Sequence, residues 1–436
     1  MQLTEWLDRI SALRSGPEIQ LGLERIRSVA RRLDIVPPCP VILVGGTNGK
    51  GSTVAFLDAI LRTAGYRTAR YTSPHLIRFT ERIAIDGRDS DELPLVAAFE
   101  RVESARRAAG DVPLTFFEFT TLAAFVCFRE TQLDAWIIEV GLGGRLDATN
   151  ILDADCAVIT SIGLDHMEWL GPDRESIGRE KAGILRTGRA AVIGDPDPPD
   201  SVRAAIDNLA CAAACIGRDY GWQVQAETPS QWRYWQRNAD GTLQWRHGLP
   251  MPALRGRFQL GNAATALRAL DMLRDRLPVS AQAIRDGLVA VTWPGRFQVL
   301  PGQPAIVLDV AHNEHAARAL AETLCEMAYF PETHAVFSML GDKDISAVVR
   351  TLSPCVGRWY VAPLPGSRAA SLALLTQAMS AAGVPAGSVR SFADVESATE
   401  AATAAADAAD RIVVFGSFLT VAAALSRLDR VSAGVR

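Results

Sequence analysis

The stretch GGTNGKGSTVAF, residues 45–56, sets Lys50 between Gly49 and Gly51 and just ahead of Ser52 and Thr53. Glycines let backbone N–H groups turn into one concavity, and a lysine among them adds a full positive charge. That chemistry suits the terminal phosphates of a nucleotide. The usual spelling of such a loop is glycine, four residues, then Gly-Lys-Ser/Thr. Here three residues separate Gly45 from Gly49, and Gly51 stands between Lys50 and Ser52. The competing reading is a glycine-rich turn with a solvated lysine. Context favours phosphate binding. The apolar run Val41 to Val44 precedes the loop, and TVAFLDAILRTAGY follows it as a helix ending near Gly65. A helix start adds its own positive end to the cradle.

Two more apolar runs lead into polar residues. AWII runs into Glu139, and CAVITSIG runs into Asp165 and His166. In open parallel sheets, functional groups collect at the carboxyl ends of strands. A carboxylate there can hold magnesium directly or through water. The alternative for Glu139 is an ion pair with nearby Arg145. His166 offers nitrogen, whereas magnesium prefers oxygen, so residue chemistry leaves its role open. Lys181, in SIGREKAGILR, falls on a helical pattern, and spacing alone makes it a solvated helix lysine. TSPHLIRFTERI (72–83) reads as a loop carrying Ser73, Pro74 and His75. PLTFFEFTTL (113–122) interleaves aromatics with Thr115 and Glu118. Aromatic faces suit a flat heterocycle, although a helix-core cluster is their commoner use.

These residues need a scaffold. A chain of 436 residues has room for two to three domains. Residues 2–33 read as two helices, with helical spacing in IQLGLERIRSVARRL and a break at PPCP (37–40). Short apolar runs then alternate with helical patterns, which predicts a parallel sheet wrapped by helices. Residues 220–258 differ, being rich in Trp, Tyr, Gln and Arg with turn residues at Asn238, Asp240 and Gly241, and predict a small antiparallel excursion. The Pro- and Gly-rich stretch 291–304 marks a boundary. Beyond it AIVLDVA, HAVFSML, RWYVAPL and RIVVFGS alternate with helices, predicting a second, smaller Rossmann-like α/β unit. The expected domains are therefore 1–296 and 297–436.

Bulk properties exclude several function classes. Hydrophobic residues at 48% and charged residues at 22% are ordinary for a globular protein. A net charge of −4 gives no basic excess for nucleic acid, so an anionic substrate must meet local positive charge. No apolar stretch has the length of a membrane span, and MQLTEWLDRI lacks the apolar core of a signal peptide. The expected location is the cytoplasm. Seven scattered cysteines without CxxC spacing, and six histidines, make a structural zinc site a poor reading. Reduced thiols filling core space are expected instead.

Taken together, the motifs carry a resemblance. GTNGKGS, YTSPHLIRFTERI, LTFFEF, EVGLGGRLDATN, SIGLDHMEWLG, REKAGI, GRFQLGNAATAL, WPGRFQ, DVAHN and VFGSF occur in order along nearly the whole chain. In these the sequence resembles the folylpolyglutamate synthase/dihydrofolate synthase family of the Mur ligase superfamily. TNGKG is that superfamily's normal form of the loop. The resemblance implies an N-terminal Mur-ligase-type ATPase domain with a P-loop and parallel sheet, and a C-terminal glutamate ligase domain. It also implies an ATP-dependent ligase: a carboxylate becomes an acyl phosphate, and the amino group of L-glutamate then attacks it.

The residue roles it implies follow the matching motifs. Gly49, Lys50, Gly51 and Ser52 hold ATP phosphates. Asn262, Arg296, Asp309 and His312 contact the nucleotide. Ser73, Glu139 and His166 bind magnesium. Lys181 matches a lysine that is carbamylated by carbon dioxide, with Lys50, His166 and Lys181 forming the catalytic group. Thr115, Phe116, Phe117 and Glu118, with Leu146, Asp147 and Ala148, match a dihydropteroate pocket. Expected substrates are ATP, L-glutamate, dihydropteroate and tetrahydrofolate, acting on a monomer. Glu314 and Leu419 depart from the family's proline and histidine at those places. The alternatives are polyglutamylation alone, a Mur-type ligase for another substrate, and a non-catalytic nucleotide binder. Peptidoglycan-type ligases carry an extra N-terminal domain, and about forty residues ahead of the loop strand are too few for one. A binder has no need for Lys50, Glu139, His166 and Lys181 together.

Overall fold

The central strand of the first unit is β1 (Val41–Gly45), apolar and buried along its whole length. A strand covered on both faces belongs inside a parallel sheet. The computed structural model, which describes residues 2–13, 20–225 and 228–434 with side chains placed through residue 428, builds that sheet from eight strands. The others are β2 (Thr68–Tyr71), β3 (Ile83–Ile85), β4 (Arg88–Asp89), β5 (Ala135–Glu139), β6 (Cys156–Ile159), β7 (Ala190–Ile193) and β8 (Ala212–Cys215). Their order is β4-β3-β2-β5-β1-β6-β7-β8. From β2 to β8 all neighbours are parallel. After β1 the chain crosses to β2 beyond β5, and later returns to β6 on the other side. The end of β1 is therefore a switch point, where open α/β sheets form a crevice.

The alternation predicts a parallel sheet, and from β2 to β8 the sheet is parallel; its one edge is not. β3 and β4 run antiparallel at one edge. The cause is local: Asp86 and Gly87 both take positive φ, 52° and 74°, which makes the two-residue hairpin that Asp-Gly favours.

Helices cover both faces. Glu92–Ala108 and Phe116–Arg129 pack on one side with Phe99, Phe119, Phe125 and Trp136 in the core. The predicted N-terminal helices are Leu3–Ala12 and Glu24–Leu33, and Trp6 meets the rings of Phe99 and Phe119. Residues 14–19, including the first residue of IQLGLERIRSVARRL, lie outside the described residues. Lys50–Thr63 packs against Ala281–Ala290, where a Cβ on Gly287 would come 2.6 Å from the Ile60 Cα. Glycine is what permits that helix approach. The antiparallel excursion is the three-stranded sheet of β9 (Tyr220–Gln225), β10 (Thr228–Arg237) and β11 (Leu243–Pro250), of which residues 226 and 227 between β9 and β10 are not described.

The second compact unit runs from Thr292 onward and adds the short segments Leu76–Arg78 and Leu254–Gln259. Its sheet has β12 (Gln298–Leu300), β13 (Ala305–Asp309), β14 (Thr333–Phe337), β15 (Arg358–Val361), β16 (Val389–Ser391) and β17 (Arg411–Phe415), in the order β12-β13-β17-β14-β15-β16. Five strands are parallel. β12 is antiparallel to β13, so this sheet too is mixed. Phe337, Trp359 and Phe415 form an aromatic centre with ring centroids 5.0 to 6.0 Å apart. Among the described residues no helix is long and apolar enough to cross a membrane.

Candidate active site

The loop after β1 is held from the neighbouring strand β6. Thr47 N–H donates to the Ser161 carbonyl at 2.7 Å, and Asn48 N–H donates to Ser161 Oγ at 3.0 Å. Thr160 Oγ1 donates to the Asn48 carbonyl at 2.7 Å. Thr47 Oγ1 accepts from Gly163 N–H at 3.0 Å. These staples use both hydroxyls of TSIG and fix the loop before any ligand arrives.

Gly46 and Gly49 both have positive φ, 146° and 85°. A Cβ on Gly46 would sit 1.9 Å from Thr160 Oγ1, and one on Gly49 would sit 2.5 Å from Asn262 Oδ1. Glycine is thus required twice, by conformation and by space. Gly49 caps the helix Lys50–Thr63. Lys50 Nζ donates to the Gly46 and Thr47 carbonyls, both at 3.2 Å, so its charge stands over the loop. Ser52 is buried in the first turn. Gly49, Lys50, Gly51, Ser52 and Asn262 are therefore gathered at one place. The sequence reading missed Thr160 and Ser161, which look like ordinary strand-end residues.

Glu139 ends β5, next to β1, and is 4% exposed. Its Oε2 accepts from Ser73 N–H at 3.3 Å, which joins two of the three expected metal ligands. The alternative partner, Arg145, pairs with Glu180 instead at 2.7 Å. His166, beyond β6, has a left-handed φ of 51° and heads a short helix with its side chain 30% exposed. Its backbone N–H donates to Asp165 Oδ1 at 2.9 Å. So Ser73, Glu139, the loop and His166 follow β2, β5, β1 and β6, four consecutive strands. Among the described residues no group of three or more His, Cys, Asp or Glu side chains is placed to hold a metal. Magnesium keeps water and phosphate oxygens in its shell and asks few protein ligands, so a buried carboxylate beside a serine fits it.

Lys181 is not a solvated helix lysine. It is 3% exposed in the helix Arg174–Ala182. Burial, and then the charge of Lys50, lower its pKa from 10.5 to about 7, against the opposing pull of Asp165 and Asp147. At neutral pH a large share of this amine is uncharged, and an uncharged amine is a nucleophile.

The aromatic segment begins the helix Phe116–Arg129. Thr115 and Glu118 form a capping box, with Thr115 N–H donating to Glu118 Oε2 at 2.7 Å and Glu118 N–H to Thr115 Oγ1 at 3.2 Å. Arg25 also pairs with Glu118 at 2.9 Å. Glu118 is thus committed to holding the helix start, and it sets the position of Phe116 and Phe117. Asp147 is buried and accepts from Leu142 N–H at 2.8 Å, Thr149 N–H at 3.0 Å and Thr149 Oγ1 at 2.6 Å. Burial raises its pKa above the ordinary carboxylate value. Gly141, just past β5, touches both walls: a Cβ there would lie 2.6 Å from Phe117 Cζ and 3.1 Å from Asp147 Oδ2. Leu146 accepts from Gly22 N–H through its carbonyl, and Ala148 is buried.

Arg82 and His75 adjoin this wall. The guanidinium lies 5.5 Å from the Phe79 ring centre and 5.6 Å from that of Phe116, and its Nε donates to His75 Nδ1 at 2.9 Å. Burial and then the Arg82 charge lower the His75 pKa from 6.5 to about 4. The unfolded chain therefore binds more protons than the folded one between these values, and stability is lost as pH falls through them. Glutamine in place of His75 can still accept from Arg82 but does not titrate. The thermal midpoint of His75→Gln is expected to fall less between pH 6.5 and 4 than that of the parent; equal slopes would remove His75 from the acid response.

In the second unit Asp309 ends β13 and is buried. It accepts from Phe297 N–H and Ala311 N–H, both at 2.8 Å. Burial raises its pKa, while Arg296 opposes the rise. Arg296 lies 5.4 Å from the Phe418 ring centre, and His312 Nδ1 bonds to the Val310 carbonyl at 2.8 Å. Arg296 and His312 thus both adjoin Phe418, and Asp309 interacts with the Arg296 charge. Glu314 pairs with Arg318 on its own helix, and Leu419 is exposed.

Comparison with known proteins agrees with this architecture. Residues 44–270 match the Mur ligase middle domain, and residues 295–418 match the Mur ligase, glutamate ligase domain. The chain is 44% identical over 433 residues to the dihydrofolate synthase/folylpolyglutamate synthase of Escherichia coli, covering 99% of this chain and 97% of that one. It is 32% identical to the protein of the same name from Mycobacterium tuberculosis, covering 90% and 86%. Among solved structures, E. coli FolC in complex with DHPP and ADP superposes with a TM-score of 0.90 at 42% identity over 99% of both chains. The Yersinia pestis bifunctional enzyme complexed with AMPPNP and Mn ion gives 0.89 at 44% identity over 98% of both. With that identity along nearly its full length, the chain belongs to the dihydrofolate synthase/folylpolyglutamate synthase family of Mur ligases.

Proposed function

We propose that the chain is an ATP-dependent amide ligase that adds L-glutamate to 7,8-dihydropteroate, giving dihydrofolate, and further glutamates to reduced folates. The observation that carries this reading is a phosphate loop at the end of β1 beside a wall of Phe117, Gly141 and Asp147 at the end of β5. Nucleotide chemistry and a flat-ring pocket then stand on adjacent strands. A relative solved with Mn, AMPPNP and L-glutamate, at 44% identity, supports the same reading.

A carboxylate is a poor acyl donor, because its leaving group would be oxide. Transfer of the γ-phosphoryl group to that carboxylate gives an acyl phosphate and ADP. The glutamate amine then attacks the carbonyl carbon, phosphate leaves, and the amine loses a proton. Lys50 and the N–H groups of Gly49, Gly51 and Ser52 offset the phosphate charge as it shifts towards the leaving oxygen. Asn262, standing over Gly49, orients the nucleotide. Arg296, Asp309 and His312 are assigned to the nucleotide by their motifs, with Asp309 bracing the backbone at Phe297 and Ala311. Phe116 and Phe117 offer faces to the pterin, and Asp147, buried across Gly141 from Phe117, offers its carboxyl group to the ring edge. Ser73, Glu139 and His166 would hold magnesium, which when bound lowers the repulsion between anionic substrates. Lys181, as its N6-carboxylate, would supply a further anionic oxygen beside Lys50.

Purified protein with ATP, magnesium and L-glutamate is expected to convert both 7,8-dihydropteroate and tetrahydrofolate, each product gaining one glutamate by mass. Product from tetrahydrofolate alone would leave a polyglutamylating enzyme and overturn the Phe117–Asp147 assignment. ATP binding without either product would sink the ligase reading.

A further inference from the structure

Two of the seven cysteines meet. Cys325 lies in the last turn of the helix Glu314–Glu326, and Cys355 ends the single-turn 3-10 helix Ser353–Cys355. Thirty residues separate them, yet their Sγ atoms are 3.7 Å apart. Cys325 is exposed and Cys355 half-buried. No other pair of sulfurs among the described residues has such a contact. Cys211 points its thiol at the Arg186 carbonyl, and Cys127 points at that of Pro94. A disulfide needs the sulfurs at about 2.05 Å, so the pair lies within roughly 2 Å of bonding distance.

A fixed cation adjoins the pair. Arg411 donates to the Leu324 carbonyl at 2.6 Å and to Thr333 Oγ1 at 2.8 Å, which fixes its guanidinium beside both sulfurs. Both cysteines interact with it electrostatically. Burial and the neighbouring Cys325 push the Cys355 thiol up to about 11. Cys325 is therefore the accessible attacking group and Cys355 the resolving one.

We propose that Cys325 and Cys355 form an oxidative modification site that closes an intrachain disulfide in exchange with a small-molecule disulfide such as oxidised glutathione. The Cys325 thiolate attacks the oxidant, breaks its S–S bond and expels one thiolate. Cys355, losing its proton, attacks the Cys325 sulfur of the mixed disulfide and expels the second. Two cysteine thiols are oxidised by two electrons, and one small disulfide is reduced to two thiols. The new bond would pin the end of the helix Glu314–Glu326 to the turn ahead of β15. It involves none of the residues assigned to ATP or folate.

The full chain, incubated with oxidised glutathione, is expected to lose two hydrogens in mass. Digestion without reductant should yield one cross-linked peptide pair joining Cys325 to Cys355. Cys355→Ser is expected to stop at a stable glutathione adduct on Cys325, and Cys325→Ser to stay unmodified at Cys355. Reductant should restore the parent mass. A lasting adduct on Cys325 of the parent, a cross-link through any other cysteine, or a covalent dimer through Cys325 would each overturn the proposal. Both serine variants are exchanges of one small side chain for another, and their thermal midpoints would confirm that they are folded.

Discussion

Lys181→Met is expected to make the protein more stable and nearly inactive. Methionine keeps the length of the stem and removes a charge from a place that is 3% exposed. The bare amine has its pKa lowered from 10.5 to about 7, with burial as the first cause. Its destabilising effect is full below pH 7, shrinks as pH rises from 7 to 10.5, and vanishes above that, because the unfolded chain binds the extra proton throughout this window. At pH 7 the effect is on the order of 4 kcal/mol. A residue that weakens the fold by so much points to function, since buried lysines are rare without a task. The task proposed here is capture of carbon dioxide: the neutral amine adds to carbon, one proton leaves, and the amine becomes an anionic carbamate. In carbon dioxide-free buffer Lys181→Met should unfold at higher denaturant than the parent, with the gap closing towards pH 10. Its ligation rate should drop by about 10²–10³-fold, the scale for loss of one preorganised electrostatic group. Parent activity should fall when carbon dioxide is removed and recover when bicarbonate is added. A Lys181→Met variant with full activity, or a parent indifferent to carbon dioxide, would remove the carbamate from the mechanism.

Lys181 also shows what a sequence reading can and cannot reach. The strand ends at Gly45, Glu139 and Asp165 were legible because buried parallel strands are unbroken apolar runs, and a polar residue after one stands out. The loop was legible because its glycines and lysine are adjacent in the chain. Burial of Lys181 was not, because it comes from the packing of a helix whose own sequence, RESIGREKA, is mostly polar. The ties of the loop to Thr160 and Ser161 span more than a hundred residues, and a threonine or serine after a strand has many uses. Glu118 was placed in the pocket by its motif, but its capping box and its Arg25 partner, 93 residues away, give it a positioning role. The antiparallel edge at Asp86–Gly87 was readable in principle from an Asp-Gly pair between short apolar runs. The βα alternation on either side is the stronger pattern and masks it.

Lys50→Ala and Gly46→Ala should fail in different ways, and the difference tests whether the loop is a preformed cradle. Lys50 Nζ donates to two carbonyls of its own loop, and the fold gains little from these bonds. Its removal leaves the staples from Thr160 and Ser161 intact. The Lys50→Ala protein should therefore keep its thermal midpoint and bind ADP, while formation of the acyl phosphate falls by about 10²–10³-fold. Arginine should not restore the rate, because a planar fork is a poor substitute for a compact ammonium at this position. Gly46→Ala is a different injury. Its Cβ would land 1.9 Å from Thr160 Oγ1 at a φ of 146°, so either the loop or the end of β6 must move. Moving Thr160 breaks its bond to the Asn48 carbonyl, and the N–H groups then no longer converge. Nucleotide affinity should be lost together with turnover. Titration calorimetry with ADP, alongside single-turnover ligation, separates the two outcomes. If Gly46→Ala bound ADP as the parent does, the loop would be shaped by the nucleotide rather than by Thr160 and Ser161, and the staples would be incidental to function.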